Sequence, residues 1–156
     1  HKLKLIEKGA KRLGINIIET CLRDGASADK ELPSADRILC DVPCSGLGVL
    51  SRKPEIRYKD DLIDTDLADI QYKILCESAK YLKKGGKLVY STCTLNPQEN
   101  NKNTAKFLAE HNDFEGVELE LPPELKRAFD EKPYEITLMP HTFDGDGFYI
   151  AVLTRR

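Results

Sequence analysis

The sequence predicts an α/β protein with a doubly wound sheet, and three observations carry that prediction. Short apolar runs recur and stop at polar, turn-forming residues, as the strands of a covered parallel sheet do. Helical segments alternate with them, in the order α-β-loop-β-α-β-α followed by further strands. Two cysteines, Cys44 and Cys93, each fall just past the end of such a run, where open α/β sheets bind their ligands.

The elements follow in chain order. Leu3, Leu5, Ile6, Ala10 and Leu13 form a helical stripe with basic residues between them, ending near Gly14. Residues 15–20 (Ile15 to Thr20) read as a strand, followed by the polar loop Asp24-Gly25-Ala26-Ser27. Residues 36–41 form the next strand. The segment from Ser45 to Asp64, rich in glycine, proline and charge, is too long for an ordinary strand-to-helix turn and is expected to be functional. Asp66 to Leu82 reads as a helix with Leu67, Ile70, Ile74, Leu75 and Ala79 on one side. Lys83-Lys84-Gly85-Gly86 then supplies the cations and glycine that favour a helix C-terminus.

A strand at 87–91 leads to a helix with Asn96 as N-cap and Pro97 as first residue, running to about His111. In the tail, Val117-Glu118-Leu119 is strand-like and Pro122-Pro123 marks a loop. Residues 136–138 and 148–153 flank His141 to Gly147 as an antiparallel hairpin that closes the sheet. The chain carries no internal repeat, low-complexity segment or second domain.

At 156 residues the chain is the size of one domain with a real hydrophobic core, and 32% charged with 40% hydrophobic residues is ordinary for a globular protein. No apolar run approaches the roughly 18 residues of a membrane span, and no signal peptide opens the chain. Five cysteines, an odd number without regular spacing, argue against a disulfide framework and for a reducing, cytoplasmic setting. A net charge of −2 lacks the basic excess that usually marks nucleic-acid binding. The opening His1-Lys2-Leu3, in mid-helix without methionine or cap, reads as the start of a piece of a larger protein.

Asp41-Val42-Pro43-Cys44-Ser45-Gly46 joins a carboxylate, a stiff turn and a thiol, and Ser91-Thr92-Cys93-Thr94 ends the other strand. Taken singly, each also fits a strand-ending turn with a small packed cysteine. Two thiols delivered to one sheet edge point instead to covalent chemistry, in which one forms a bond to a substrate and the other helps to break it. Cys21, Cys40 and Cys76 are assigned to the core. No metal is expected: there is no Cys-x-x-Cys, and His1, His111 and His141 show no ligand spacing. Asp144-Gly145-Asp146-Gly147 has Arg155 where a calcium loop needs glutamate, so it reads as a hairpin turn.

Asp-x-Pro-Cys-Ser-Gly-x-Gly at 41–48, Arg52-x-Pro54-Glu55-x-Arg57, Ser-Thr-Cys-Thr at 91–94 and Asn-Pro-Gln-Glu-Asn at 96–100 resemble the RNA cytosine-C5 methyltransferases of the Nop/Sun family. The likeness is nearest to its bacterial Sun members, which act on small-subunit ribosomal RNA. The segment from Met139-Pro140-His141 to Asp146-Gly147-Phe148-Tyr149-Ile150 is similar to the family's C-terminal part. The resemblance implies a Rossmann-like, S-adenosylmethionine-dependent fold that is incomplete at its N-terminus. The family's glycine-rich cofactor loop, its acidic ribose-binding residue and an RNA-binding domain would lie upstream of His1, so that residues 1–156 are the C-terminal portion of a catalytic domain.

The resemblance also implies roles. Cys93 is the nucleophile that adds to cytosine C6, Cys44 assists release of the adduct, and Asp41 activates the ring. Asp24 matches the position that contacts the cofactor's adenine, and Asp41 with Pro43 borders its methyl end. Arg52, Lys53, Arg57 and Lys59 form a local basic cluster, a solvated loop by default but suited to RNA phosphates beside the site. The rivals are an amino-group methyltransferase, which needs no thiol, and a non-catalytic remnant that only binds a partner. On this reading the isolated chain binds cofactor weakly and has little activity.

Overall fold

The computed structural model describes residues 2–27, 32–58, 65–125, 131–142 and 144–156. Its centre is a sheet in the order β1 (Ala35–Asp41), β2 (Leu82–Thr92), β5 (Phe148–Arg155) and β3 (Phe114–Gly116), with β4 (Glu135–Leu138) also pairing with β5. β1 and β2 run parallel, with Cys40 opposite Tyr90 and Asp41 opposite Ser91. β5 is antiparallel to β2, β3 and β4. The expected hairpin is therefore present, with Leu138 opposite Phe148, and its second strand lies inside the sheet.

Helices α1 (Lys2–Arg12), α2 (Thr65–Ala79) and α3 (Asn101–Glu110) complete the fold. α2 packs on β1, β2 and α3. The core beneath joins Leu75 of α2 and Phe107 of α3 to Cys40, Leu82, Leu88, Tyr90, Tyr149, Ala151 and Leu153 of the sheet, where Leu88 and Tyr90 and then Tyr149, Ala151 and Leu153 alternate as an inward face requires. Leu39, between two inward residues of β1, is 69% exposed on the opposite face. From residue 35 onward the alternation of helices and strands is as the sequence predicts, and the described helices α2 and α3 pack against the sheet.

Several local expectations are corrected. Residues 15–20 are not a strand: a strand needs a ladder partner, and Ile15, Ile17 and Ile18 stand exposed beside none among the described residues. The stripe on α1 forms, yet α1 buries no residue. Cys21, assigned to the core, is exposed; Cys40 is buried and Cys76 half-buried against the core. α2 stops at Ala79, and Lys83-Lys84-Gly85-Gly86 belongs to β2, not to a helix end. Leu82 pairs with Ala35, the chain bulges through Gly85 at φ 72°, and register resumes with Lys87 opposite Arg37.

Asn96 does accept a hydrogen bond from the Gln98 N–H on its side-chain oxygen (3.1 Å), but the turn it caps precedes α3, which starts at Asn101. The strand expected at 117–119 lies three residues earlier, although the Val117 N–H still reaches Val152 O at 2.8 Å. In the long segment after β1, the part to Tyr58 holds two 3-10 turns, Leu47–Val49 and Pro54–Tyr58, that bury Gly48 and Ile56, and 59–64 lie outside the described residues.

Candidate active site

Parallel pairing in register carries β1 and β2 to the same sheet edge, where each is followed by its cysteine loop. Val42 N–H extends the ladder by one bond to Ser91 O (3.3 Å). Cys44 Sγ then lies 3.0 Å from Cys93 Sγ, both residues half-buried. Burial pushes the Cys44 thiol from 9.0 up to about 12, and the hydrogen bond and charge of Cys93 push in the same direction. The shift favours the protonated form of Cys44, and either sulfur can be the donor within the pair.

Three loops are stitched around these sulfurs. The Gly48 N–H donates to Cys93 O (2.9 Å), and the Gly147 N–H donates to Gly48 O (2.7 Å). The first bond ties the Cys44 loop to the Cys93 loop, and the second adds the β4–β5 turn. Ser45, next to Cys44, and Thr94, next to Cys93, share a hydroxyl–hydroxyl bond of 2.7 Å.

Beneath them lies Glu99, 1% exposed. Its Oε2 accepts from the Ser45 N–H (2.9 Å) and Gln71 Nε2 (2.7 Å), and its Oε1 accepts from Ser45 Oγ (2.6 Å) and Asn96 Nδ2 (3.0 Å). Gln71 Nε2 also reaches Pro43 O at 2.7 Å. Asn100 fixes the other loop, accepting from Thr92 Oγ1 (2.6 Å) and donating to Thr94 O (3.0 Å). Such donor sets are what a buried carboxylate requires.

The structure brings Asp41, Pro43, Cys44 and Cys93 to one edge, with Asp41 and Pro43 exposed. Asp24 is held in a turn of its own: its carboxylate accepts from the Ala26 N–H (3.0 Å) and Ser27 Oγ (3.2 Å), and the adjoining Gly25 lies against Ile74 of α2. Arg52 is bound to Asp146 (Nε–Oδ2 2.8 Å), which Ser51 also contacts at 3.0 Å, so the 144–147 turn carries an ion pair to the basic loop. Lys53 and Arg57 are exposed, and Lys59 lies outside the described residues.

Gln71 and Glu99 are absent from the site as read from sequence. One signal for Gln71 was available: it sits four residues after Leu67 and three before Ile74, a polar side chain on the apolar side of α2. Glu99 stands inside the Asn-Pro-Gln-Glu-Asn stretch that carries the resemblance, but its polar neighbours give no sign that it is buried.

The family described as 16S rRNA methyltransferase RsmB/F matches residues 1–154. The probable ribosomal RNA small subunit methyltransferase B of Bacillus subtilis is 42% identical over the whole chain, and that of Yersinia enterocolitica is 35% identical, also over the whole chain. The chain spans only 36% and 35% of these two proteins. Among solved structures, NSun6 from Pyrococcus horikoshii with SFG is 29% identical with a TM-score of 0.83, over 98% of this chain and 38% of that one. A methyltransferase homologue from the same organism is 25% identical with a TM-score of 0.78, over 99% of this chain and 50% of that one. The sheet of five strands is thus part of a Rossmann-like methyltransferase fold, and the chain belongs to the RsmB/F family of 16S rRNA methyltransferases.

Proposed function

We propose that the protein carrying this chain methylates C5 of a cytosine in RNA, with small-subunit ribosomal RNA as substrate, through a covalent bond between Cys93 and C6 of the base. Residues 1–156 are on this reading the C-terminal portion of the catalytic domain. The observation that carries the proposal is the 3.0 Å approach of Cys44 Sγ to Cys93 Sγ at the carboxyl ends of neighbouring parallel strands. Amino-group transfer has no use for such a pair.

The cofactor in this proposal is S-adenosylmethionine, an analogue of which accompanies the NSun6 structure. Its sulfonium, adenine amine and ribose hydroxyls are cationic or donor groups. Asp24 and Asp41 suit them as exposed carboxylates, neither in a salt bridge among the described residues. Asp24 would hold the adenine side, and Asp41 with Pro43 the methyl end. When bound, the cofactor supplies an electrophilic methyl group.

The chain's own residues do the rest. Cytosine C5 is a poor nucleophile until a thiolate adds at C6 and makes C5 enamine-like, which divides one difficult step into easier ones. Cys93 supplies that thiolate, and Asp41, carrying a proton at this step, donates it toward N3 while accepting from the 4-amino group as negative charge develops on the ring. After methylation, loss of the C5 proton restores the double bond and expels Cys93 as a thiolate. Cys44 is suited to assist only at that stage. While Cys93 is free, its hydrogen bond and charge help to keep the Cys44 proton on; once Cys93 is bonded to carbon, both influences are gone and Cys44 becomes easier to ionise. Arg52, Lys53, Arg57 and Lys59 contact RNA phosphates.

The test is a denaturing gel of the full-length protein with cofactor and ribosomal RNA. Cys44→Ala should accumulate a denaturation-resistant RNA adduct, and Cys93→Ala should form none. No adduct in either variant, with methylation intact, would remove C5 chemistry and favour transfer to an amino group.

A further inference from the structure

We propose that Glu99 is a positioning residue that holds Cys44 against Cys93. Both neighbours of Cys44 are tied to one buried polar cluster. Pro43 O accepts from Gln71 Nε2, which also donates to Glu99, while Ser45 gives Glu99 both its N–H and its hydroxyl. Cys44 is thereby pinned on either side. The same carboxylate accepts from Asn96 Nδ2, three residues past Cys93, and Ser45 Oγ bonds Thr94 Oγ1, one residue past it. A single side chain at 1% exposure therefore bonds to both cysteine loops, beside the bonds of Asn100 to the Cys93 loop.

The need for a carboxylate follows from counting donors. Four converge on Glu99, two on each oxygen, from Ser45, Gln71 and Asn96. A glutamine has one acceptor oxygen, and its amide N–H groups would face either the Ser45 N–H and Gln71 Nε2 or the Ser45 hydroxyl and Asn96 Nδ2. Asn96 cannot turn its amide to adapt without giving up the bond from the Gln98 N–H to its Oδ1. Whichever way the glutamine turns, the cluster loses part of its hold on Ser45 or on its two amide partners, and the Cys44 loop moves.

The consequence for the reaction rests on the reading under Proposed function. Because Cys44 acts after the adduct has formed, Glu99→Gln should slow release more than formation. A bystander in the fold would instead lower both together.

The direct test needs no RNA. Dibromobimane bridges two nearby thiols and becomes fluorescent when it does so, and peptide mapping identifies the bridged pair. In the full-length protein carrying Cys21→Ser, Cys76→Ser and any further substitutions that leave 44 and 93 as its reactive pair, Glu99→Gln should bridge about tenfold more slowly than its parent, since displacements near 1 Å cost up to about a hundredfold in positioned reactions. Ser45→Ala, which removes only the hydroxyl bonds to Glu99 and Thr94, should be slowed in the same direction and serves if the glutamine variant does not fold. Bridging at the parental rate in a folded Glu99→Gln protein, or in Ser45→Ala where that alone folds, overturns the positioning role, even if the melting temperature falls. The RNA-adduct gel then separates the two readings. Failure of Cys44→Ala to accumulate adduct counts against the cysteine roles, while slowed bridging stands for Glu99 regardless.

Discussion

Gly147 donates its N–H to Gly48 O at 2.7 Å, and a Cβ on Gly48 would sit 2.0 Å from Gly147 O. The β4–β5 turn and the Cys44 loop therefore meet backbone to backbone, with no room for a methyl group. Gly48→Ala should cost about 1–3 kcal/mol of stability or more, the range for overpacking, and should separate the loops around the thiols. Gly9, in the middle of α1 with nothing within 4 Å of its Cβ position, is the control. Gly9→Ala should add about 0.5–1 kcal/mol through helix propensity. Urea denaturation of both variants checks the pair.

The raised Cys44 pKa gives a prediction with a definite sign. A group whose folded pKa lies above its unfolded one stabilises the fold fully below the unfolded value and loses that contribution as pH rises through the folded value. For Cys44 the window runs from pH 9.0 to about 12, so its contribution falls with rising pH there. In Cys93→Ala only burial among the main causes remains. The pH midpoint for alkylation of Cys44 by iodoacetamide, followed on its peptide, should therefore shift down toward 9.0.

The basic loop should divide by partner. Arg52 already holds Asp146, whereas Lys53 and Arg57 stand exposed. In filter binding to ribosomal RNA across a salt series, Lys53→Ala and Arg57→Ala should each reduce the salt slope by about 1. Arg52→Ala should change it less. Asp146→Asn, which releases Arg52, should tighten binding; because the Asp146 side chain is only 10% exposed and also accepts from Ser51, the change should cost about 1 kcal/mol or more of stability.

A second buried carboxylate allows a test away from the thiols. Glu135, 3% exposed, accepts from the Tyr149 hydroxyl, and Thr104 Oγ1 lies 2.8 Å from that hydroxyl. Tyr149→Phe should cost about 1–3 kcal/mol, because a buried acceptor loses a donor. Tyr58, 85% exposed, should tolerate the same change with no measurable effect. Thermal melts of the two variants distinguish the cases.

Much of the sheet was legible because its inward face alternates: Leu88, Tyr90 and Thr92 in β2 and Tyr149, Ala151 and Leu153 in β5 are all buried. Cys44 and Cys93 were legible as a pair because both follow such runs. Residues 15–20 have the composition of a strand and still are not one, since composition cannot supply a ladder partner. Lys83-Lys84-Gly85-Gly86 misled for a related reason. A glycine with positive φ serves a helix end and a strand bulge equally well, and only the pairing of Leu82 with Ala35 decides between them. Glu99 stayed hidden because its four donors come from Ser45, Gln71 and Asn96, and the approach of Ser45 and Gln71 to Asn96 exists only after folding.

The interior position of β5 has a bearing on how the sheet is made. β2, β3 and β4 all find their antiparallel partner in residues 148–155, so none of these ladders can close while synthesis has reached only Glu135–Leu138. Until then, among the described residues, the parallel β1–β2 pair with α2 packed on it is the ladder that can form, and the edge of β2 that β5 will occupy waits with its hydrogen-bonding groups open. Closure is a late, long-range event, of the kind that slows folding. The thiol pair follows the same timetable: Cys44 and Cys93 can meet early, but Gly147, which clamps their loops from the third side, arrives only with the last strand.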